Sequence, residues 1–551
     1  MSVQGGRLKD KANVRITYSE EIAWSTCQFA CSRLSRNGTS LKECIVHMTS
    51  HSHEDAVFAR TVAVSQQAPA EYPSKPPFHP AEKYPETPFM RTQEERNPAY
   101  GGVREALRML GMDVANYGKA TWNPLGLVVK PGDTVLVKPN LICEGHATRK
   151  DEWVQVVTHG AVVRAVLDYV YIALGGKGRV IIADGPQTDS DFETICERVG
   201  LLDVGAFYKE RGLALDVVDL RRDRWHQKDG VIFERTELTG DPAGYTTVDL
   251  GEASEFKKYR LSGRFYGADY DTRETRAFHS NGRHTYILCR TAMTADVLIN
   301  VPKLKTHKKT GVTICLKNMV GINGYRNCLP HYTLGTPKEG GDEFSEGSLK
   351  NRLQSGLVSA FKKVLTISGG KGGVWARVMT DIGRLLFGDT NAVVRSGNWH
   401  GNDTAWRMVL DLNKVLFHFD GLGKTRQRRL PYVTVVDGII AGEGNGPVSP
   451  EAREAGLVVA GLNPVAVDTV CATLMGFDYR KIPNIEKAWE AKTYPIVDFR
   501  PEDICCVSNV EEWNGTLRHV ESAPHLGFEA HFGWRGHIER EQMTNHGNII
   551  L

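Results

Sequence analysis

No stretch of this chain approaches the ~20 consecutive apolar residues that a membrane-spanning helix needs. The opening residues, MSVQGGRLKDKANVRITYSEE, hold no apolar core of the kind a secretory leader carries. These absences point to a cytoplasmic protein with no membrane partner, in which the eleven cysteines stay reduced. No C-x2-C occurs; Cys27 and Cys31 form a C-x3-C without a third partner nearby, and Cys505 and Cys506 are adjacent. Neither a zinc ribbon nor a ferredoxin-type cluster is written here, so an iron–sulfur cluster is not expected. Charge of one sign is also missing: 68 basic against 65 acidic residues leave a net +3 on 551 residues. That balance gives no electrostatic case for a nucleic-acid partner.

What is present reads as an α/β fold. Residues 1–68 form an irregular N-terminal extension with short strand-like runs at Val14–Tyr18 and Thr61–Ser65. Residues 69–98 hold eight of the 24 prolines, a density that forbids regular structure and defines an extended arm. Its aromatics (Tyr72, Phe78, Tyr84, Phe89) suit an arm laid on a surface. Residues 99–551 form the main body, read as two lobes of about 99–330 and 331–551. Within it, short apolar runs alternate with helical periodicity: DTVLVKPN, HGAVVRAVLDYVYIALG, GRVIIADGP, ADVLINVPK, YVTVVDGI and GLVVAG, the last leading into PVAVDTVCATLMG. This alternation predicts a mostly parallel, Rossmann-like sheet with flanking helices.

Ligands of such sheets bind beyond the carboxyl ends of the strands. Lys138 and Asn140, Asp184, Asn300 and Lys303, and Asp437 stand at those ends. Each alone is an ordinary turn or cap residue; together they describe a shared cleft. The segment PKLKTHKKTGVTICLKNMVGING (Pro302–Gly324) continues from one of them. Lys303, Lys305 and His307 fall in the loop after a strand, Thr310, Gly311 and Thr313 offer hydroxyls and close backbone approach, and Lys317 and Asn318 follow. A half-buried lysine serves as base, Schiff-base amine or anion clamp according to its pKa, and histidine as acid, base or ligand. The bland alternative is a solvated basic loop before an amphipathic helix. The run KLKTHKK lacks interleaved aromatics, which favours an anion pocket over nucleic acid.

AGEGNGP (Ala441–Pro447) reads as a glycine turn whose amides, at Gly444 and Asn445, face a phosphate or carboxylate. It matches no nucleotide-binding fingerprint. Asp437 with Glu443 offers oxygen ligands for a divalent metal, against a surface loop as the plain reading. GNWHGNDTAWRMVLDLNKVL suggests an exposed Trp–His–Asn–Asp recognition loop ahead of a helix capped by Asp403 or Thr404. HMTSHSH (His47–His53) has metal-like spacing but reads better as a solvated face. HFGWRGHIE (His531–Glu539) is as well suited to packing as to chemistry.

Taken together, NPAYGGVREALRMLGMD, VLVKPN, ADGPQ, VPKLKTHKKTGVTICLKNMVGI, NDTAWRMVLDLN, DGIIAGEGNGP and NPVAVDTVCATLMGFD resemble the family known as domain of unknown function 362. The similarity runs from about Asn97 to Glu539. It is greatest to long members associated with bacterial polysaccharide gene sets, whose pattern includes PFHPAEKYPETPF. Some members add ferredoxin-type cysteine motifs, which this chain lacks. A second resemblance is to the nickel-pincer lactate racemase group, through His307, Thr310, Gly311, Thr313 and Lys317 at matching offsets. There the resemblance implies an active-site histidine and a lysine that carries the cofactor. Ile314 and Cys315 stand where that group has a Gly-Gly pair.

The expectation is an enzyme acting on a small anionic or sugar-derived metabolite. His307 and Lys317 carry the proton transfer of an isomerisation or epimerisation. Lys138, Asn140, Asp184, Lys303, Lys305, Thr310, Thr313, Asn318, Gly444 and Asn445 hold the ligand. The cofactor is not specified, a divalent metal at Asp437 and Glu443 being one option, and homo-oligomerisation is compatible with the class. The alternatives are a non-catalytic protein that binds a ligand or redox partner, and a nucleotide-dependent transferase resting on the glycine turn alone.

Overall fold

The computed structural model describes residues 57–541 except 90, 229–230, 258, 260–261, 270 and 347–392. The Val14–Tyr18 run, the Cys27–Cys31 pair and His47–His53 lie outside the described residues. The strands of the central sheet are β1 (Thr61–Gln66), β2 (Thr134–Pro139), β3 (Arg179–Asp184), β4 (Leu215–Asp219), β5 (Val297–Val301), β6 (Lys303–His307), β7 (Gly311–Thr313), β8 (Tyr432–Asn445), β9 (Ser449–Gly461), β10 (Cys505–Ser508) and β11 (Gly515–Thr516). Their order is β11-β10-β1-β9-β8-β5-β2-β3-β4, with β6 paired to β8 and β7 to β6.

The run β8-β5-β2-β3-β4 is parallel throughout. Beyond β8 the sheet turns mixed, because β9 runs antiparallel to it and β1 antiparallel to β9. GLVVAG is therefore the return arm of a hairpin. Three residues separate β8 from β9, and a parallel return needs a crossover of a dozen or more.

Period-two alternation assigns each strand's side chains to opposite faces. Val135 and Val137 of β2, Ile299 and Val301 of β5, and Val433 and Val435 of β8 face helices α1 (Pro98–Met109) and α2 (Gly160–Leu174). Leu136, Ile181 and Leu298 face the other way, towards α3 (Cys315–Asn318) and α4 (Ala405–His418). α5 (Pro464–Met475) covers Val62, Val64, Val436, Leu457 and Val459. The caps follow local chemistry. Asn97 accepts from Tyr100 N at the start of α1, and Asn463 accepts from Val465 N and Ala466 N at the start of α5.

The proline-rich arm is pinned by its aromatics. Tyr84 stacks on Tyr100 at 5.6 Å, Phe89 meets Tyr208 edge-on at 5.6 Å, and Tyr72 lies parallel to His159 at 4.1 Å. The expected recognition loop before α4 is instead packed. Trp399 is 8% exposed and donates to Asp342 O, while Asn402 Oδ1 accepts from Thr404 N and Ala405 N. Asp403 turns outward to pair with Arg407, four residues along. Trp534 of HFGWRGHIE packs under Gly311 and donates to Lys308 O, a structural role.

Candidate functional site

Strand order reverses beside β2. The chain moves outward from β2 to β3 and β4, then returns to the other side of β2 as β5 and moves on to β8. A doubly wound sheet opens its crevice where the order reverses, at the carboxyl ends of the two flanking strands. Here those ends bring Lys138 opposite Asn300 in register.

Both side chains are fully buried, so both need partners. Lys138 Nζ lies 2.7 Å from Asp184 Oδ1 at the end of β3 and donates to Pro139 O and Asn318 Oδ1. Asp184 also accepts from Leu141 N and Gly185 N. Asn318 knits the strand ends together: its Oδ1 accepts from Asn140 Nδ2 (2.8 Å) and its Nδ2 donates to Asn300 Oδ1 (2.7 Å). Gly321 closes over this network. A Cβ there would sit 2.0 Å from Asp184 Oδ1 and 2.7 Å from Lys138 Nζ, so only glycine fits without displacing the pair.

The β6 segment departs from the expected loop. Pro302 breaks the ladder, but the chain continues as a buried strand beside the second half of β8. Alternation puts Lys303, Lys305 and His307 on one face and Leu304 in the apolar core. Two of the lysines of KLKTHKK are thus wholly interior, which removes the solvated-loop reading for them. Lys303 Nζ donates to Asp437 Oδ2 (3.1 Å) and Tyr72 Oη (2.8 Å). Asp437 accepts from Tyr72 Oη at 2.5 Å and His159 N at 2.9 Å. The His159 ring sits between Tyr72 and Trp153, the latter 5.1 Å away.

The remaining cations have no such partners. Lys305 Nζ donates only to Asn140 Oδ1 (3.0 Å) and Val156 O. Burial pushes its pKa down to about 7, and the charges of Lys303 and Lys317 add to the effect. Lys309 donates to Ser396 O, and burial with Lys308 brings it to about 7. Lys317, in α3 and partly exposed, makes no hydrogen bond or ion pair among the described residues. Burial lowers it to about 7, with Arg326 and Lys138 adding to the shift. Arg326 donates to the carbonyls of Val320, Gly185 and Pro186 and makes no ion pair among the described residues.

His307 is fixed as a donor. Its Nδ1 accepts from Lys309 N (3.0 Å) and Thr310 N (3.2 Å), so the proton resides on Nε2. Burial, then Lys317 and its neighbours, hold the ring far below its usual pKa. It is a neutral hydrogen-bond donor rather than a general base. Thr310 belongs to this lock, its hydroxyl 3.0 Å from His307 Nδ1. Thr313 faces Lys305 across the β6–β7 ladder, and its buried hydroxyl has no partner.

Gly444 and Asn445 are not in a phosphate-facing loop. They end β8, with Gly444 N donating to Glu529 O, Gly444 O accepting from Thr306 Oγ1, and Asn445 exposed. The proposed metal pair is not assembled either. Asp437 is saturated by Lys303, Tyr72 and His159. Glu443 accepts from Glu529 N and lies near Arg453, six residues and about 20 Å further along the strand. Among the described residues no three His, Cys, Asp or Glu side chains gather as a metal-holding group.

The sequence reading missed Tyr72, His159, Arg326, His331 and Asp468. His331 donates from Nδ1 to Leu329 O and is lowered to about 3 by burial, Lys309 and Lys317. Asp468 accepts from Cys315 N (2.7 Å) and Leu316 N (3.1 Å), anchoring the short helix that presents Lys317 and Asn318. An aspartate inside the apolar run of PVAVDTVCATLMG was the available signal. Where a nickel-pincer site would need glycines, Ile314 and Cys315 are fully buried in an apolar cluster, so the residues do not fit that cofactor and no step is derived through it.

These features define an α/β protein with a cation-rich site at the reversal point of its sheet. The family model for domain of unknown function 362 matches residues 135–246 and 231–473, and the chain belongs to that family. A thylakoid-associated protein of Synechocystis sp. is 24% identical over 362 residues, which is 66% of this chain and 68% of that protein. Among the described residues no helix is long and apolar enough to cross a membrane.

Proposed function

We propose that the protein is an enzyme that rearranges a small anionic or sugar-derived metabolite by isomerisation or epimerisation, with Lys317 as its reactive amine. The observation that carries this reading is the amine itself: it has no partner among the described residues, is held by a fixed backbone, and is flanked by cations that favour its neutral form. Arg326 and Lys309, both without carboxylate partners, supply the charge that draws an anion. His307 offers Nε2–H to an oxygen of the ligand, and the Lys138–Asn318–Asn140 network keeps the crevice floor rigid. We place this activity in the cytoplasm. The relative's name makes a membrane-surface setting the competing location.

Proton transfer at carbon carries its own label. Incubated in D2O with a pool of anionic metabolites, the wild-type protein should wash deuterium into one compound class, read by mass spectrometry. Lys317→Ala, shown folded by circular dichroism, should lose at least about 100-fold of that exchange. Equal exchange in both proteins, or none in either across the pool, sinks the reading.

A further inference from the structure

We infer that Lys317 acts covalently, as the nucleophile that captures the carbonyl carbon of an oxo acid, a molecule with a ketone or aldehyde near a carboxylate. This rests on the reading above and deepens it by naming the substrate class and the bond that forms.

The case begins with what four other lysines of the site are doing. Lys138 is bound to Asp184 and Lys303 to Asp437, Lys305 is held by Asn140 and a carbonyl, and Lys309 is held by a carbonyl. Of these five, Lys317 alone makes no hydrogen bond or ion pair among the described residues, and it is partly exposed where Lys305 is not. Its backbone is fixed on both sides, by Asp468 at the start of α3 and by the Asn318 amide that bridges the ends of β2 and β5.

Charge then separates two uses of that amine. A base that takes a proton becomes a cation beside Lys138 and Arg326, the two residues whose charges already oppose its protonation. Nucleophilic attack uses the neutral amine that those neighbours favour, and the iminium cation formed later is balanced by the substrate's own carboxylate. In that step the Nζ lone pair attacks the carbonyl carbon and the C–O π pair moves to oxygen, which takes a proton. The nitrogen loses its proton, and the carbinolamine then expels water to give C=N. No oxidant, reductant or metal enters the balance. Protonated on nitrogen, the resulting imine acidifies the adjacent carbon, which supplies the proton mobility that isomerisation needs. The substrate's carboxylate meets Arg326, a guanidinium whose hydrogen bonds among the described residues all go to carbonyl oxygens.

The experiment is reductive trapping on the full chain. Wild-type protein is incubated with pyruvate and cyanoborohydride, and intact mass and peptide maps are read. The expected result is a gain equal to pyruvate less one oxygen atom, confined to Lys317, with labelling that climbs as pH rises through about 7. Lactate, which has no carbonyl, should give nothing. Acetone, which has no carboxylate, should label at least tenfold more slowly. Arg326→Gln should slow pyruvate labelling by a much larger factor than acetone labelling, whose smaller loss reflects the more basic Lys317 left without that cation. Labelling spread evenly over surface lysines, or none at Lys317 with pyruvate or 2-oxoglutarate, overturns the inference. If Lys317→Ala still abolishes deuterium exchange in that case, the site reading survives and only the covalent step is lost.

Discussion

Two sets of lysines share one crevice and are treated oppositely by the fold. Lys138 and Lys303 each face a buried carboxylate, at 2.7 Å and 3.1 Å, and each carboxylate is further held by backbone N–H groups. Lys305, Lys309 and Lys317 have only neutral acceptors or none. A buried ion pair is expensive to break because the survivor is left uncompensated, whereas an unpaired buried cation is a standing cost that the folded state tolerates. The first set therefore builds the site, and the second is shaped for an arriving charge.

The sharpest break of this comparison is Lys303→Met. It strands Asp437 with Tyr72 and His159 alone, and should cost about 3–5 kcal/mol in urea unfolding. A loss below ~1 kcal/mol would mean the pair is not what holds β6 to β8. Gly321→Ala comes next: its Cβ collides with Asp184 and Lys138, and a loss of roughly 1–3 kcal/mol is expected, with weaker capture of anions at Lys317.

For the unpaired set, pH is a second variable. Lys305 has a folded pKa of about 7 against 10.5 for the free side chain, so the unfolded state holds the extra proton between those values. Stability must then rise with pH across that window, by up to about 1.4 kcal/mol per unit, and the penalty is full below about 7. Unfolding free energies measured from pH 7 to 9 check this, and Lys305→Met should remove its share of the rise, leaving those of Lys309 and Lys317. The smallest change should be Lys305→Met itself at pH 7. It removes a burdened cation with two neutral acceptors, and stability should stay within ~1 kcal/mol of wild type or improve. A loss as large as that of Lys303→Met would erase the distinction between the two sets.

Much of this architecture was visible in the chain's pattern, because the apolar runs at β2, β3, β5 and β8 are short and end in polar residues. The strand ends named from that pattern, Lys138, Asn140, Asp184 and Asn300, do meet in one hydrogen-bonded network. KLKTH was misread because burial of its polar face inverts the usual rule. The alternation is strand-like, but lysines signal solvent. AGEGN was misread for a related reason. Gly442 serves close packing against Lys305 Cβ and Gln155 O, and Gly444 takes a left-handed φ of +69° at the end of β8. Tyr72 and His159 could not be placed from sequence at all, since they reach Asp437 from the proline-rich arm and from a helix start, and no local period links such distant positions. Arg326 was hidden because its partners are backbone carbonyls, which leave no compositional trace.

The reversal of strand order has a further consequence, for the order of folding. β2, α2 and β3 are consecutive in the chain, so Lys138 can meet Asp184 through local closure alone. β5 reaches its place beside β2 only after the long segment carrying β4 and the smaller hairpins has been made, a slow non-local event. A fully buried lysine of the site is thus neutralised before the strand that seals it arrives, and the unpaired amines enter last. Pulse-labelled hydrogen exchange should find the amides of β2 and β3 protected ahead of those in β5 and β6.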